Sequence, residues 1–183
     1  MILGLDLALT TGFAVLARDG ALVAHGAWCN RAPNEGRKAE QREIRAQLRF
    51  MTFQRELRDV IHTYRAQLDL VAFEHLSPHG SVGGAQMQLY GGWRALTLAT
   101  SWDAGLRAEP VGNSTMRSTA SPDGEPDEVR ATPRGQRKAR REAWKSSTVR
   151  LAKERWSISR ALTDDEADAL WVAESARLRI GAK

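Results

Sequence analysis

The chain has 183 residues, of which 42% are hydrophobic and 27% charged, and its formal net charge at pH 7 is +5. These values predict one soluble domain over residues 1–183, and the excess of positive charge favours a polyanionic partner such as nucleic acid. The single cysteine, Cys29, excludes an internal disulfide and a zinc site built mainly on thiolates, and no apolar stretch is long enough to cross a bilayer.

Three strands are predicted at the N-terminus, over residues 2–8, 13–18 and 22–28, with turns at residues 10–12 and at Asp19–Gly20. This succession predicts an antiparallel meander. The first strand carries an acid within its apolar run and has no basic segment before it. It therefore lacks the pattern of a signal peptide, and we expect a cytoplasmic protein.

A change of apolar period follows the meander. Residues 38–65 have apolar side chains at three- and four-residue steps, which predicts a long amphipathic helix. Residues 68–74 read as a short, buried strand in a parallel position, since a helix precedes them. A second helix is predicted over residues 84–104 and a fifth strand over residues 107–112.

Residues 113–141 differ from the rest of the chain, because they are rich in Ser, Thr, Pro, Gly and charge. This composition predicts a mobile or partly disordered loop. Two further helices are predicted, over residues 143–156 and 163–180. Three antiparallel strands, then parallel strands with helices between them, predict an α/β fold with a mixed sheet and helices on both faces. This order matches the ribonuclease H-like architecture, and a doubly wound sheet with one reversed edge is the alternative.

Two acids lie in apolar strands. An apolar run continues past Asp6, and an unpaired charge buried there would cost several kcal/mol. We therefore expect Asp6 to face a cleft or a positive group. Glu74 ends its strand, so it is either a second member of such a site or a solvated acid.

A third acidic group opens the last predicted helix. Thr163 and Glu166 have the spacing of a capping box, and acids in a first turn complement the helix dipole. Capping does not explain Asp168, which stands one turn further in. Asp165 and Asp168 are three residues apart and share one face of the helix.

These carboxylates predict a metal site. Oxygen ligands suit Mg²⁺, and two such ions roughly 4 Å apart can activate a water and stabilise the leaving oxygen of a phosphodiester. Glycosidase carboxylates would not explain the basic surface, and no Ser-His-Asp grouping is evident. We therefore predict a nucleic-acid hydrolase whose metal ligands are Asp6, Glu74, Asp165 and Asp168.

Five short segments carry a resemblance to a known family. They are residues 1–15 (MILGLDLALTTGFAV), 70–74 (LVAFE), 113–118 (NSTMRS), 145–149 (KSSTV) and 165–170 (DEADAL). In this order they resemble the first strand, the strand ending in a catalytic Glu, the V-K element, the K-x-x-V segment and the C-terminal D-x-x-D-A helix of the RuvC family of Holliday-junction resolvases.

The resemblance implies a structure-selective endonuclease, a crossover junction endodeoxyribonuclease, that cuts Holliday or other branched DNA junctions during recombination and repair. It implies two Mg²⁺ ions, with Mn²⁺ as a substitute, held by the four carboxylates, and no small-molecule cofactor. Lys145 would position or stabilise the reacting phosphate, and Arg117 stands where the family has a lysine. Symmetric junctions call for paired cuts, so a homodimer is expected.

The chain departs from the family pattern at Ser77, where the resemblance predicts an aromatic wedge three residues after the catalytic Glu. Tyr90 or Trp93 would be the substitute, although aromatic residues on a helix face more often pack in the core. Together with the length of segment 113–141, this departure is more typical of divergent phage-type members, which would act in the host cytoplasm and some of which cut a wider range of branched DNA.

The densest positive charge precedes Lys145. We predict that DNA phosphates are bound by Arg117, Arg134, Arg137, Lys138, Arg140, Arg141 and Lys145. Such contacts supply affinity rather than sequence readout. The alternative is a solvated loop that only aids solubility. Trp144 lies beside these residues, where it stacks on bases or packs in the core, and core positions are predicted for Trp102, Trp156 and Trp171.

Two other functions fit the same residues. One is a ribonuclease H-fold nuclease that acts on RNA or unbranched DNA. The other is a non-catalytic nucleic-acid-binding module, which the four acids disfavour because they would repel phosphate without serving a reaction.

Overall fold

A computed structural model describes residues 1–30, 41–75 and 84–181 of the chain. Within these ranges one sheet contains the strands β1 (Ile2–Asp6), β2 (Thr10–Leu16), β3 (Leu22–Cys29), β4 (Leu70–His75) and β5 (Arg107–Gly112). Their order across the sheet is β3-β2-β1-β4-β5. The first three strands are antiparallel, whereas β4 runs parallel to both β1 and β5. The predicted mixed sheet is therefore confirmed.

Helices cover both faces of this sheet, as predicted. They are α1 (Gln41–Tyr64), α2 (Gly84–Asp103), α3 (Asn113–Ala120), α4 (Asp127–Arg130), α5 (Arg137–Trp156) and α6 (Asp164–Gly181). One core lies between the sheet and α1 and α2, and a second lies between the sheet and α3, α5 and α6. None of the helices in the described ranges has the length and hydropathy needed to cross a membrane.

The central strands β1 and β4 are apolar up to the carboxylates near their ends, because both of their faces are buried. In β1, Leu3 and Leu5 point into the core beneath α1 and α2, and Ile2 points into the core beneath α6. Asp6 is the last residue of this strand. Because side chains alternate between the two faces of a strand, Asp6 lies on the same face as Ile2, which is the face that α6 covers.

The turn expected at residues 10–12 is part of β2 instead, where Thr11 pairs with Trp28 and Gly12 with Ala27. The chain reverses just before this point, and the buried Asn30 stabilises the reversal. Its side-chain amide donates to the carbonyl of Ala8 at 2.9 Å and to the hydroxyl of Thr11 at 2.7 Å. Pairing of β2 with β3 and the side-chain amide of Asn30 therefore outweigh the local preference of residues 10–12 for a turn.

The segment 113–141, expected as an irregular loop, carries α3, α4 and the first turn of α5. Few residues of this segment are apolar, and three of them, Met116, Ala120 and Val129, are buried. Polar composition misled the prediction, because three well-placed apolar side chains are enough to dock short helices. For the same reason α5 begins at Arg137, six residues before the predicted start at 143.

The three tryptophans expected in the core differ from one another in burial. Trp171 is buried, donates from its indole N–H to the carbonyl of Thr148, and lies 4.9 Å from the ring of the partly buried Trp156. Trp102 is 82% exposed, so its assignment to the core was wrong. Thr100 and Ser101 face the interior at the end of α2, so Trp102, the next residue of the helix, points to solvent.

Candidate metal centre and nucleic-acid interface

Asp6 and Glu74 meet because β1 and β4 are neighbouring parallel strands. Leu5 pairs with Phe73, so the next residue of each strand lies at the same edge of the sheet. Both acids are buried, with 7% and 8% of their surface exposed, and Glu74 lies close enough to raise the pKa of the Asp6 carboxyl. The two strand acids singled out in the sequence therefore form one pair.

Glycines bring α6 to this pair. A Cβ atom on Gly12 would fall far inside van der Waals distance of the carbonyl of Asp165, and one on Gly4 would overlap the backbone of Ala169 and Ala173. Only residues without a side chain allow the helix backbone to lie directly on β1 and β2. This close approach places the first turns of α6 at the end of β1.

The carboxylates of α6 consequently join those of the strands. Burial and the charges of Glu74 and Asp168 raise the pKa of Asp6 well above its ordinary value. Burial, then the charges of Glu74 and Asp164, raises the pKa of Asp168 to about 7. Burial and the charge of Asp164 also raise the pKa of Asp165, which lies close enough to Asp6 for the two carboxyl groups to affect each other's pKa. The cluster is thus electrostatically strained in the absence of positive charge.

This donor set fits hard divalent cations. All donors are carboxylate oxygens, and a cation would relieve the burial and mutual repulsion that raise the pKa values. Among the described residues, no three acidic, His or Cys side chains already form a closed ligand set. The carboxylates are neighbours at one edge, and a cation would have to draw them together.

Lys145 of α5 lies beside the cluster and forms an ion pair with Asp164. The hydrogen bond from Lys145 lowers the pKa of Asp164, and the same bond raises the pKa of Lys145. From the sequence alone, the helix dipole was enough to explain an acid at the position of Asp164. In the structure, Asp164 is the partner of the predicted phosphate-binding Lys145. About two fifths of each side chain is exposed, at 39% and 40%, so the ammonium group remains open to solvent.

The predicted capping box is present at the start of α6. Thr163 N donates to Glu166 Oε2 at 3.0 Å, and Glu166 N donates to Thr163 Oγ1 at 3.2 Å. Glu166 also accepts from Arg160 at 2.7 Å and contacts His25 Nδ1 at 3.1 Å. His25, on which the sequence carried no functional signal, thereby links β3 to the helix start beside Asp165.

Asn113, the first residue of α3, is a residue that sequence reasoning missed. Its Nδ2 donates to Glu74 Oε1 at 3.1 Å. The contact exists because β5 pairs with β4 and ends where Gly112 lies opposite His75. The sequence signal for it was a polar residue directly after the strand that follows Glu74 along the chain.

The predicted phosphate-binding residues fall into two groups. Exposed side chains are those of Arg117, Arg134, Arg137, Lys138 and Arg141. Arg117 lies over the ring of Trp144 at 5.0 Å, a cation–π contact beside Lys145. Arg140 instead donates to the carbonyls of Val129 and Thr132 and to Glu125, which joins α4 to α5.

The two aromatic residues named as substitutes for the junction wedge are not at the surface. Tyr90 and Trp93 are 4% and 3% exposed, and they pack between α2 and the sheet. Ser77 lies outside the described residues.

Comparison with protein-family models and with curated proteins gives no match for this sequence. Solved structures do match. A Thermus thermophilus RuvC in complex with a Holliday junction substrate has a TM-score of 0.70 at 16% identity, over 98% of this chain and 95% of that chain. A further RuvC structure from the same organism has a TM-score of 0.67 at 17% identity, over 98% and 96% of the two chains. The yeast mitochondrial Holliday junction resolvase has a TM-score of 0.51 at 15% identity, over 98% and 80%. The chain therefore has the RuvC-like, ribonuclease H-like fold that its sequence predicted.

Proposed function

We propose that this protein is a metal-dependent, structure-selective endonuclease that hydrolyses phosphodiesters at Holliday or other branched DNA junctions. The observation that carries the proposal is the meeting of four carboxylates from two parallel strands and one helix, those of Asp6, Glu74, Asp165 and Asp168. A protein that only binds nucleic acid gains nothing from buried acids at its phosphate-binding face. The similarity in fold to RuvC supports this assignment.

The four carboxylates would hold two Mg²⁺ ions, for which Mn²⁺ would substitute. Bound there, such ions activate water and stabilise the leaving 3′-oxygen. Lys145 supplies a positive charge beside the carboxylates and is oriented by Asp164. Its exposed ammonium can meet a non-bridging phosphate oxygen, and Arg117 can add a second such contact.

Branched DNA is the proposed substrate because the RuvC of similar fold was solved with a Holliday junction. The exposed cations at the start of α5 would bind the phosphates of the arms without reading their sequence. Paired incisions of a symmetric junction call for two sites, so we include a homodimer in the proposal.

The test compares four substrates, a four-way junction, a Y-fork, a linear duplex and a single-stranded RNA, with Mg²⁺ or with EDTA. We expect metal-dependent nicks in the branched substrates that Asp6→Asn abolishes. The exposed acid Asp103 offers the matched control, since Asp103→Asn removes the same charge outside the cluster and should cut normally. Cutting of RNA or plain duplex alone would favour the alternative nuclease. Tight junction binding without products under any metal would show a binding module.

A further inference from the structure

Glu74 is held by two helices in addition to its own strand. Tyr90 of α2 is buried, and its hydroxyl donates to the backbone carbonyl of Glu74 at 2.8 Å. Asn113 of α3 donates from its side-chain amide to Oε1 of the same residue at 3.1 Å. The first contact fixes the end of β4, and the second acts on the carboxylate itself.

The side chain of Asn113 is not used by its own helix. Asn at a helix start ordinarily caps free backbone N–H groups. At the start of α3 the capping position is Gly112, whose backbone is extended, and no side chain makes a capping hydrogen bond. The amide of Asn113 is directed to Glu74 instead, which argues against a role confined to helix stability.

An amide suits this position for an electrostatic reason. A carboxylate can accept from a neutral N–H and keep its full negative charge, whereas a Lys or Arg at the same place would compete with a cation. Glu74 also lies close enough to Asp6 to raise the pKa of that carboxyl. A donor on one oxygen of Glu74 therefore limits how the two carboxylates can turn toward each other.

We propose that Asn113 is a positioning residue that orients the Glu74 carboxylate for binding a divalent cation. This inference rests on the proposed function, because it concerns the same carboxylate site. It predicts that loss of the amide weakens cation binding through Glu74, and that the effect is present without DNA.

The test measures Mn²⁺ binding to the full-length protein from the electron paramagnetic resonance signal of free Mn²⁺, with no nucleic acid present. We expect Asn113→Leu, which keeps the approximate volume and removes the donor, to weaken binding by roughly 10- to 100-fold. Asn113→Gln should recover part of the loss because it restores an amide. Ser114→Ala, a change at the next exposed position of the same helix turn, should bind as the unsubstituted protein does.

A double-mutant cycle separates positioning from direct ligation. In a Glu74→Gln background, Asn113→Leu should cause little further loss; a full additional loss would overturn the proposal. Normal Mn²⁺ binding by Asn113→Leu, together with weak binding by Glu74→Gln, would overturn the inference and leave the proposed function standing. Normal binding by Glu74→Gln would overturn both. Asn113→Ala replaces Asn113→Leu if thermal unfolding in EDTA shows that leucine disturbs the fold.

Discussion

Asp168 lies half-buried on α6, where burial and the charges of Glu74 and Asp164 raise its pKa to about 7. In the unfolded chain an Asp ionises near its ordinary pKa of about 4. Between these values the folded protein holds a proton that the unfolded chain releases. By linkage, the free energy of unfolding of the metal-free protein falls as the pH rises through this window.

Removing this charge should therefore stabilise the metal-free protein. Since one pKa unit corresponds to about 1.4 kcal/mol, we expect Asp168→Asn to raise the free energy of unfolding by roughly 1–3 kcal/mol near pH 8 and by little near pH 4. Urea unfolding in EDTA at the two pH values measures this difference. Equal stability of the two proteins at the higher pH would show that Asp168 is not strained.

Lys145 is the residue whose chemical role depends most on its neighbour, since Asp164 binds its ammonium group. If the ammonium stabilises charge on the reacting phosphate, Lys145→Ala should lower the single-turnover cleavage rate by about 100-fold while junction affinity changes little. Lys153→Ala provides the control, because Lys153 lies two turns later on α5. A loss that appeared only in the dissociation constant would assign Lys145 to binding alone.

At the scale of elements, the site depends on how closely α6 approaches β2. Adding a methyl group at Gly12 must push the helix start away, because it would overlap the backbone of Asp165. We expect Gly12→Ala to lower the free energy of unfolding by about 1–3 kcal/mol, as overpacking does, and to abolish cleavage.

Gly91 is the matched control for this substitution, since a Cβ there meets no atom within 4 Å. Gly91 lies within α2, so alanine should stabilise the protein by up to about 1 kcal/mol through helix propensity and leave cleavage unchanged. Equal effects of the two substitutions on stability would contradict the close packing of α6. Thermal unfolding and junction cleavage together provide both measurements.

The basic residues near the start of α5 divide by their contacts. Arg137, Lys138 and Arg141 are exposed, whereas Arg140 binds two backbone carbonyls and Glu125. Replacing the three exposed residues with alanine should weaken junction binding and reduce the slope of log affinity against log salt by up to about 3.

Arg140→Ala should leave that slope unchanged and lower the free energy of unfolding by about 1–2 kcal/mol, because the carbonyls of Val129 and Thr132 each lose a hydrogen bond. Fluorescence anisotropy at several salt concentrations and urea unfolding distinguish the two effects. A salt slope that was the same in the triple variant would remove α5 from the DNA interface.

At the scale of the whole molecule, the proposed resolution of a symmetric junction requires two incisions, and one carboxylate cluster would make only one of them. We therefore expect sedimentation velocity to give twice the mass of a single chain at micromolar concentration. On a plasmid with an extruded cruciform, the expected product is linear DNA formed without a lasting nicked intermediate. A monomer that releases only nicked circles would contradict the paired mechanism.

Much of this organisation was readable in the chain before any tertiary structure. Apart from the start of α5, the periods of apolar residues predicted the strands and long helices within a few positions, because burial on one or two faces leaves a direct trace in the sequence. The cost of burying a charge singled out Asp6, and the face shared by Asp165 and Asp168 followed from helix geometry alone. These features depend on neighbours close in the chain.

Other features depend on residues distant in the chain, and only the packed structure decided them. Asn113 meets Glu74 because β5 lies beside β4, Asp164 meets Lys145 because α5 lies beside the start of α6, and Arg140 turns inward because α4 docks through Val129. Composition predicted an irregular segment there because it counts polar residues without their partners. Where burial alone determines what a side chain does, the local sequence predicts its role. Where the role depends on a partner from another element, only the tertiary structure shows it.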